Sequence, residues 1–348
     1  MLANIWVTSS CNLACTYCYE GNNKANHRMN KQIAEETIQY VIHHFSGLQD
    51  ADNNLVINYH GGEPLLEFET IRWFTEEFKN HFRNSNCKVS FGTTTNATLL
   101  DEEKMDYLSE HFNYSISVSI DGTPETHDEN RKMLGGRGTY SEIIDVIPIF
   151  IKKRPDLRAR MTFNSKSVNK LYENIKHVME LGFNTIVPIP DYFDSNWDKE
   201  HMQVLYEQLD LTAALYRKAK QKNESVLIGM VDGYQRKEMG ECDGGKTTIN
   251  IDPSGNLFPC TYLVGQPDYI IGDVRLGIDD GKLREFHVPS SIDNEVCSGC
   301  THYKGCMGGR CKAINKQLTG DYFVPSAVLC VIENVQHKIN RCYYSTVN

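Results

Sequence analysis

From the first residues to about Leu215, short β-branched runs alternate with longer stretches whose apolar positions recur every three or four residues. The short runs predict strands at Ile5–Thr8, Leu55–Tyr59, Lys88–Thr93, Tyr114–Ile120, Ala159–Phe163 and Thr185–Ile189. The longer stretches predict helices at Lys31–Phe45, Glu69–Phe82, Asp101–Phe112, Tyr140–Lys152, Lys170–Leu181 and Lys199–Lys220. Asn30 and Asp101 stand where side chains cap a helix start, and Ser141 with Glu142 marks a third start. Strand then helix, six times over, implies parallel strands joined by helical crossovers. Six units are two short of a closed eight-unit barrel. The fold expected is therefore α/β, a partial (β/α)6 TIM-like barrel with its chemistry at the C-terminal strand ends. After about Lys222 the texture changes to Gly, Pro and Cys with short runs such as Thr247–Ile251, which predicts a small domain organised by metal. The expected division is 1–222 for the barrel and 223–348 for a C-terminal cysteine-rich domain, which the resemblance given below implies to be an iron-sulfur domain.

The apolar fraction of 40% and charged fraction of 23% suit a folded chain of 348 residues, and no apolar stretch approaches a membrane-spanning length. The longest, Ile143–Ile151, carries Asp145 and Pro148 and runs into Lys152, Lys153 and Arg154, which reads as an amphipathic helix near its C-terminus. Net charge is -9, the wrong sign for gripping nucleic-acid phosphates. Neither nucleic acid nor membrane is an expected partner. The opening residues show no basic-then-apolar signal pattern, so the expected location is cytoplasmic.

Cysteine departs from the ordinary. Of twelve, eleven fall in two groups: Cys11, Cys15 and Cys18, then Cys242, Cys260, Cys297, Cys300, Cys306, Cys311, Cys330 and Cys342. A chain this long without a secretory pattern favours metal or redox chemistry over a disulfide framework. Cys87, within CKVSFGT, is expected to be a buried small hydrophobe. Cys11, Cys15 and Cys18 form CxxxCxxC in a loop directly after the first strand. Three thiolates on a short loop suit one face of an iron-sulfur cluster and leave one iron open to another ligand. A structural zinc site would need a fourth ligand nearby, and His27 is nine residues on.

These residues resemble the radical S-adenosylmethionine enzymes. In that family the open iron holds the amino and carboxylate groups of S-adenosylmethionine, and the reduced 4Fe-4S cluster cleaves it to a 5'-deoxyadenosyl radical. The resemblance gives Tyr17 the aromatic position that meets adenine. The second strand ends in NYHGGEPLL, similar to the family's GGEP motif, which implies that Gly61 and Gly62 admit the methionine amino group while Glu63 shapes the turn. TTTNATLL and SVSIDGTPETHDENR end the third and fourth strands and resemble the segments from which Asn96 and Ser119 reach the cofactor's methionine and ribose. Asp121, His127, Asp128 and Arg131 fit the last segment as loop-ordering residues.

The C-terminal cysteines resemble the SPASM domain, with one extra residue between Cys306 and Cys311. That resemblance implies two auxiliary 4Fe-4S clusters, a distal one on Cys297, Cys300, Cys306 and Cys330 and a nearer one on Cys242, Cys260 and Cys311. For the nearer cluster's remaining ligand two alternatives stand: Cys342, or a thiolate of the substrate. Relatives with this domain mostly modify peptides or proteins. The leading expectation is a maturase that installs an oxidative cross-link, a Cys thioether, in a ribosomally synthesised precursor peptide. Its implied partners are that peptide and a reductant such as flavodoxin or ferredoxin; since no N-terminal winged-helix module precedes Cys11, the expectation is either a separate leader-peptide-binding protein or a surface of this chain that binds the peptide. The basic segment Gln235–Lys237 and the helix before it are a further candidate peptide surface. The second expectation is an anaerobic sulfatase maturase forming formylglycine. Such enzymes place an aspartate directly after the cysteine that closes the Gxxxx segment, and here that position is Thr261. The third, from another class, is a zinc-stabilised binding module without turnover.

Overall fold

The computed structural model describes residues 1–21, 26–48, 53–232, 241–287 and 295–344. The segment Gln235–Lys237 lies outside the described residues. In chain order the first elements are β1 (Leu2–Thr8), α1 (Lys31–Gly47), β2 (Asn54–Gly61), α2 (Phe68–Phe82), β3 (Lys88–Thr95), α3 (Glu102–His111) and β4 (Ser115–Ser119). Then come α4 (Pro124–Asn130), α5 (Tyr140–Ile143), α6 (Ile147–Lys153), β5 (Arg158–Phe163), α7 (Leu171–Glu180), β6 (Thr185–Pro190), α8 (Lys199–Gln221) and β7 (Leu227–Ile228). The remainder is β8 (Thr248–Ile251), β9 (Asn256–Phe258), β10 (Gly272–Asp273), β11 (Gly277–Ile278), α9 (Asp280–Phe286), α10 (Lys312–Thr319) and α11 (Ala327–Tyr344).

Two compact units divide the chain. The first comprises Met1–Val118, Arg131–Arg154 and Asp243–His287; the second comprises Ser119–Asn130, Pro155–Cys242 and Val288–Asn348. In the first unit the strand order is β11-β10-β9-β8-β1-β2-β3-β4, with β8, β1, β2, β3 and β4 mutually parallel. In the second, β5, β6 and β7 are parallel neighbours. The fold is the expected α/β arrangement around a parallel sheet, and the barrel is not closed.

All six predicted strands form, each within a few residues of its predicted ends. Asn30 caps α1 by accepting the Ile33 N–H at 2.9 Å, and Asp101 caps α3 by accepting that of Lys104 at 2.9 Å. The helix predicted at Tyr140–Lys152 is instead two, α5 and α6, broken ahead of Pro148, whose ring cannot donate to the preceding turn. Thr248–Ile251 does not belong to a coreless metal-held piece: it extends the first unit's sheet beside β1, with Ile249 and Ile251 fully buried.

The core of the first unit lies between the sheet and its helices. Leu55, Ile57 and Tyr59 alternate on the buried face of β2; Tyr59 stacks on Phe91 and its hydroxyl bonds Thr75 of α2 at 3.0 Å. On the other face of β2, Val56, Asn58 and His60 stay half-buried. Among the described residues no helix is long and apolar enough to cross a membrane.

Candidate active site

The loop after β1 is drawn closed at its neck. Ser9 donates its backbone N–H to His27 O at 2.9 Å, His27 N–H returns to Ser9 Oγ at 3.1 Å, and Met29 N–H reaches Val7 O at 3.0 Å. The Thr8 hydroxyl donates to His27 O at 3.1 Å and accepts the Ser10 N–H at 3.1 Å. Between these points the chain carries Cys11, Cys15 and Cys18, all partly exposed and none in a disulfide. The Cys11 thiol accepts the Leu13 N–H at 3.4 Å.

The turn after β2 packs directly on this loop. Gly62 N–H donates to Thr8 O at 3.2 Å and Glu63 N–H to Ser10 O at 2.9 Å. A Cβ at Gly61 would lie 2.5 Å from Thr8 O, and one at Gly62 would lie 2.4 Å from Ser10 O and 2.8 Å from the Cys11 Cβ. Only glycine fits either position. The close approach that the glycines make here is to the cysteine loop's own backbone.

Glu63 is buried at 1% exposure. Its Oε1 accepts from Leu65 N at 3.1 Å and Thr95 Oγ1 at 2.7 Å, and its Oε2 accepts the Asn96 N–H at 2.7 Å. It thus joins the ends of β2 and β3. Asn96 turns its Nδ2 to Asn12 Oδ1 at 2.9 Å, with Cys11 Sγ 4.0 Å away, and its Oδ1 accepts from Thr98 N and Oγ1. Asn12 donates in return to Thr98 Oγ1 at 2.8 Å.

A hairpin from the first unit covers the loop's far side. Leu13 bridges Met133, and Ala14 N–H donates to Lys132 O at 2.8 Å. The Arg131 guanidinium lies 5.4 Å from the Tyr17 ring centroid, a cation–π contact that places this aromatic side chain. Trp6 Nε1 donates to Glu20 at 3.0 Å, and Tyr19 packs edge-on against Tyr262, two residues after Cys260.

Cys11, Cys15, Cys18, Tyr17, Gly61, Gly62, Glu63, Asn96 and Cys260 all lie in the first unit. Ser119 lies in the second, buried at the end of β4. There Asp121 accepts the Thr162 N–H at 3.0 Å and its own N–H points to His127 Nδ1 at 3.4 Å, the loop-ordering role expected of both.

The other six cysteines named for clusters are in the second unit. Burial pushes the Cys297 thiol above its usual range, and the nearby Cys300 and Cys330 thiols push it further. Burial does the same to Cys306, with Glu333 and Cys330 adding to it. Cys297, Cys300, Cys306 and Cys330 thus form one neighbourhood. Burial also raises Cys311, whose nearest thiol influence is Cys242. The peptide at Gly308 and Gly309 threads between these sulfurs: its N–H donates to Cys306 Sγ at 3.2 Å, and a Cβ at Gly309 would lie 3.6 Å from Cys297 Sγ. Asn315, fully buried, holds Gly308 O at 2.8 Å and accepts Ser326 N–H at 3.1 Å, tying this loop to the start of α11, which carries Cys330. Among the described residues no three His, Cys, Asp or Glu side chains converge on a single metal position. In a cubane each thiolate binds a different iron, so its ligands surround a volume rather than a point.

Sequence reasoning missed Asn12 and Asn315, because their partners are distant in the chain and an isolated asparagine carries no periodic signal. It also missed α11. Cys87, expected to be buried, is half-exposed at the start of β3; partial burial still pushes its thiol up.

Residues 5–164 match the family model described as the Radical SAM superfamily. This stretch is a radical SAM domain. A cysteine-type anaerobic sulfatase-maturating enzyme of Clostridium perfringens is 26% identical over 340 residues, covering 88% of this chain and 87% of that protein. The solved structure of anSMEcpe with bound AdoMet shares the fold at a TM-score of 0.80 and 20% identity, over 99% of this chain and 94% of that one. SuiB of Streptococcus suis, solved bound to its precursor peptide SuiA, shares it at a TM-score of 0.65 and 16% identity, over 94% and 75%.

Proposed function

We propose that this radical SAM enzyme is a peptide maturase that takes a hydrogen atom from a polypeptide substrate and closes an oxidative cross-link, a thioether from a cysteine sulfur to carbon. Cys11, Cys15 and Cys18 would hold the first 4Fe-4S cluster, and Tyr17, Gly61, Gly62, Glu63, Asn96 and Ser119 would hold S-adenosylmethionine. The residues fit such a group: three thiols ride one closed loop, and the side-chain-free turn at Gly62 leaves the Cys11 side uncrowded. Bound there, the cluster and S-adenosylmethionine supply a carbon radical able to take hydrogen from an unactivated C–H bond. The chain's own part is to hold the loop rigid through Glu63, Asn96 and Asn12 and to present the substrate in one pose. Cys297, Cys300, Cys306 and Cys330 would carry a distal auxiliary cluster, and Cys242, Cys260 and Cys311 a nearer one with a position for a substrate thiolate.

One observation carries the choice of reaction: the residue after Cys260 is Thr261, whose hydroxyl is engaged with Asn250 at 3.3 Å, where formylglycine-forming relatives place an acid. A second reading, a maturase of sulfatases, is favoured by the Clostridium perfringens relative at 26% identity. Both are tested in one experiment. The anaerobically reconstituted, reduced enzyme receives S-adenosylmethionine and, in separate arms, the small peptide encoded beside its gene and a cysteine peptide from a sulfatase. A product two hydrogens lighter with its sulfur retained supports the thioether; a carbonyl trapped by a hydrazide on the sulfatase peptide supports the second reading instead. A colourless, zinc-loaded protein without iron would overturn both.

A further inference from the structure

On α11, Glu333 follows Cys330 by three positions, which puts the two side chains on one face of the helix. Glu333 is buried at 3% exposure. A carboxylate taken out of water needs donors, and the Met307 N–H supplies one, 3.2 Å from Oε2.

Met307 is the pivot of the Cys306–Cys311 loop. While its N–H meets Glu333, its carbonyl accepts the N–H groups of Arg310 at 2.9 Å and of Cys311 at 2.8 Å. The next residue, Gly308, turns its N–H to Cys306 Sγ at 3.2 Å, and a Cβ there would lie 3.3 Å from the same sulfur. One carboxylate therefore fixes the peptide that joins the two cysteines.

The same carboxylate reaches both sulfurs through its charge. Burial pushes both thiols up first; Glu333 then adds to it on Cys306 together with Cys330, and on Cys311 together with Cys242. The lowering influences are backbone N–H groups, those of Gly308 and Gly309 on Cys306 and that of Ile314 on Cys311. Two cations belong to the same stretch. Arg310 donates to Cys306 O at 3.1 Å and acts on the Cys297 thiol, and it is partly exposed, so water screens it more than it screens Glu333. Lys312 is buried, with its ammonium 5.8 Å from the Phe323 ring centroid.

We propose that Glu333 is a positioning residue shared by the two auxiliary clusters: its carboxylate holds their common loop through Met307, and its charge lowers the reduction potential of both. The inference rests on the assignment above of Cys306 to the distal cluster and Cys311 to the nearer one. An electron added beside a fixed, poorly screened negative charge is repelled. Each cluster therefore releases its electron more readily than it would beside a neutral side chain.

Two variants separate the two roles. Glu333→Gln keeps an acceptor for the Met307 N–H and removes the charge, whereas Glu333→Leu removes both. Each is made in the full-length chain with Cys11, Cys15 and Cys18 changed to alanine, so that only the auxiliary clusters contribute. Iron analysis and a redox titration followed by electron paramagnetic resonance are the readouts. The parent is expected to hold about eight irons. Glu333→Gln is expected to keep them and to shift both midpoint potentials upward, and Glu333→Leu to lose about four or more. Potentials that stay put or fall in Glu333→Gln, a shift confined to one cluster, or equal iron in Glu333→Leu and the parent overturns the proposal. Should Glu333→Leu fail to fold, the potentials of Glu333→Gln still decide. A parent without iron would end the cluster assignment and this inference with it; about eight irons with unmoved potentials would end the inference alone.

Discussion

The Glu63 carboxylate accepts the backbone N–H of Asn96 at 2.7 Å, fastening the end of β2 to the end of β3. Thr95 Oγ1 and Leu65 N donate to it as well. Glutamine in its place would turn an N–H₂ toward one of these donors inside a buried site. Glu63→Gln is therefore expected to lose about 1–3 kcal/mol of stability, measured by urea unfolding of variant and wild type. A variant as stable as wild type would mean that the carboxylate does not hold the turn.

Gly62 touches Ser10 and Cys11 so closely that no side chain fits. Gly62→Ala should displace the cysteine loop, and the reconstituted protein should carry about four fewer irons per chain, read by iron analysis. Gly47→Ala is the matched control, because nothing lies within 4 Å of the added methyl group. Equal iron in the two variants would separate the turn from the cluster loop.

Asn315 bridges the Gly308 carbonyl and the Ser326 N–H, holding the Cys306–Cys311 loop against the start of α11. Asn315→Ala leaves two buried groups without these partners, at a cost of about 1–3 kcal/mol. It should also lose about four irons while the first cluster's cleavage of S-adenosylmethionine persists. Iron content unchanged from wild type would contradict the distal cluster's placement.

Asp191, after β6, has its carboxyl pushed above the usual 3.8 by burial, with Asp194 adding to the effect. The folded state then binds this proton more tightly than the unfolded chain does. Its contribution to stability is fully present below the ordinary value and is lost as pH rises through the folded value. Asp191→Asn keeps an acceptor for the Phe193 N–H, now 3.0 Å from the carboxylate, and removes the charge. Denaturant unfolding should find the variant more stable than wild type at pH 7, with the gain shrinking toward pH 4. A gain that does not change with pH would contradict the burial argument.

The strands and most helices were legible because burial on one side imposes a period, and Asn30 and Asp101 cap where their side chains allow it. The cysteine loop, the Gly61–Glu63 turn and Asn96 were legible as a motif, and the structure brings them into contact. What the pattern could not show was partnership across distance. Thr248–Ile251 is too short to reveal that β1 is its neighbour, and Asn12 finds Asn96 across more than eighty residues. The glycine pair was read for the space it offers a ligand; its geometry shows first the space it leaves for Cys11. α11 went unseen because the spacing of cysteines drew the reading of that region toward loops held by metal.

The central claim is that the loop of Cys11, Cys15 and Cys18 holds a cluster that reductively cleaves S-adenosylmethionine. The direct measurement is 5'-deoxyadenosine release by the reconstituted, dithionite-reduced protein, by chromatography, in wild type and in the variant with all three cysteines changed to alanine. Release by the wild type and none by the variant is the predicted result; equal release by both would contradict it.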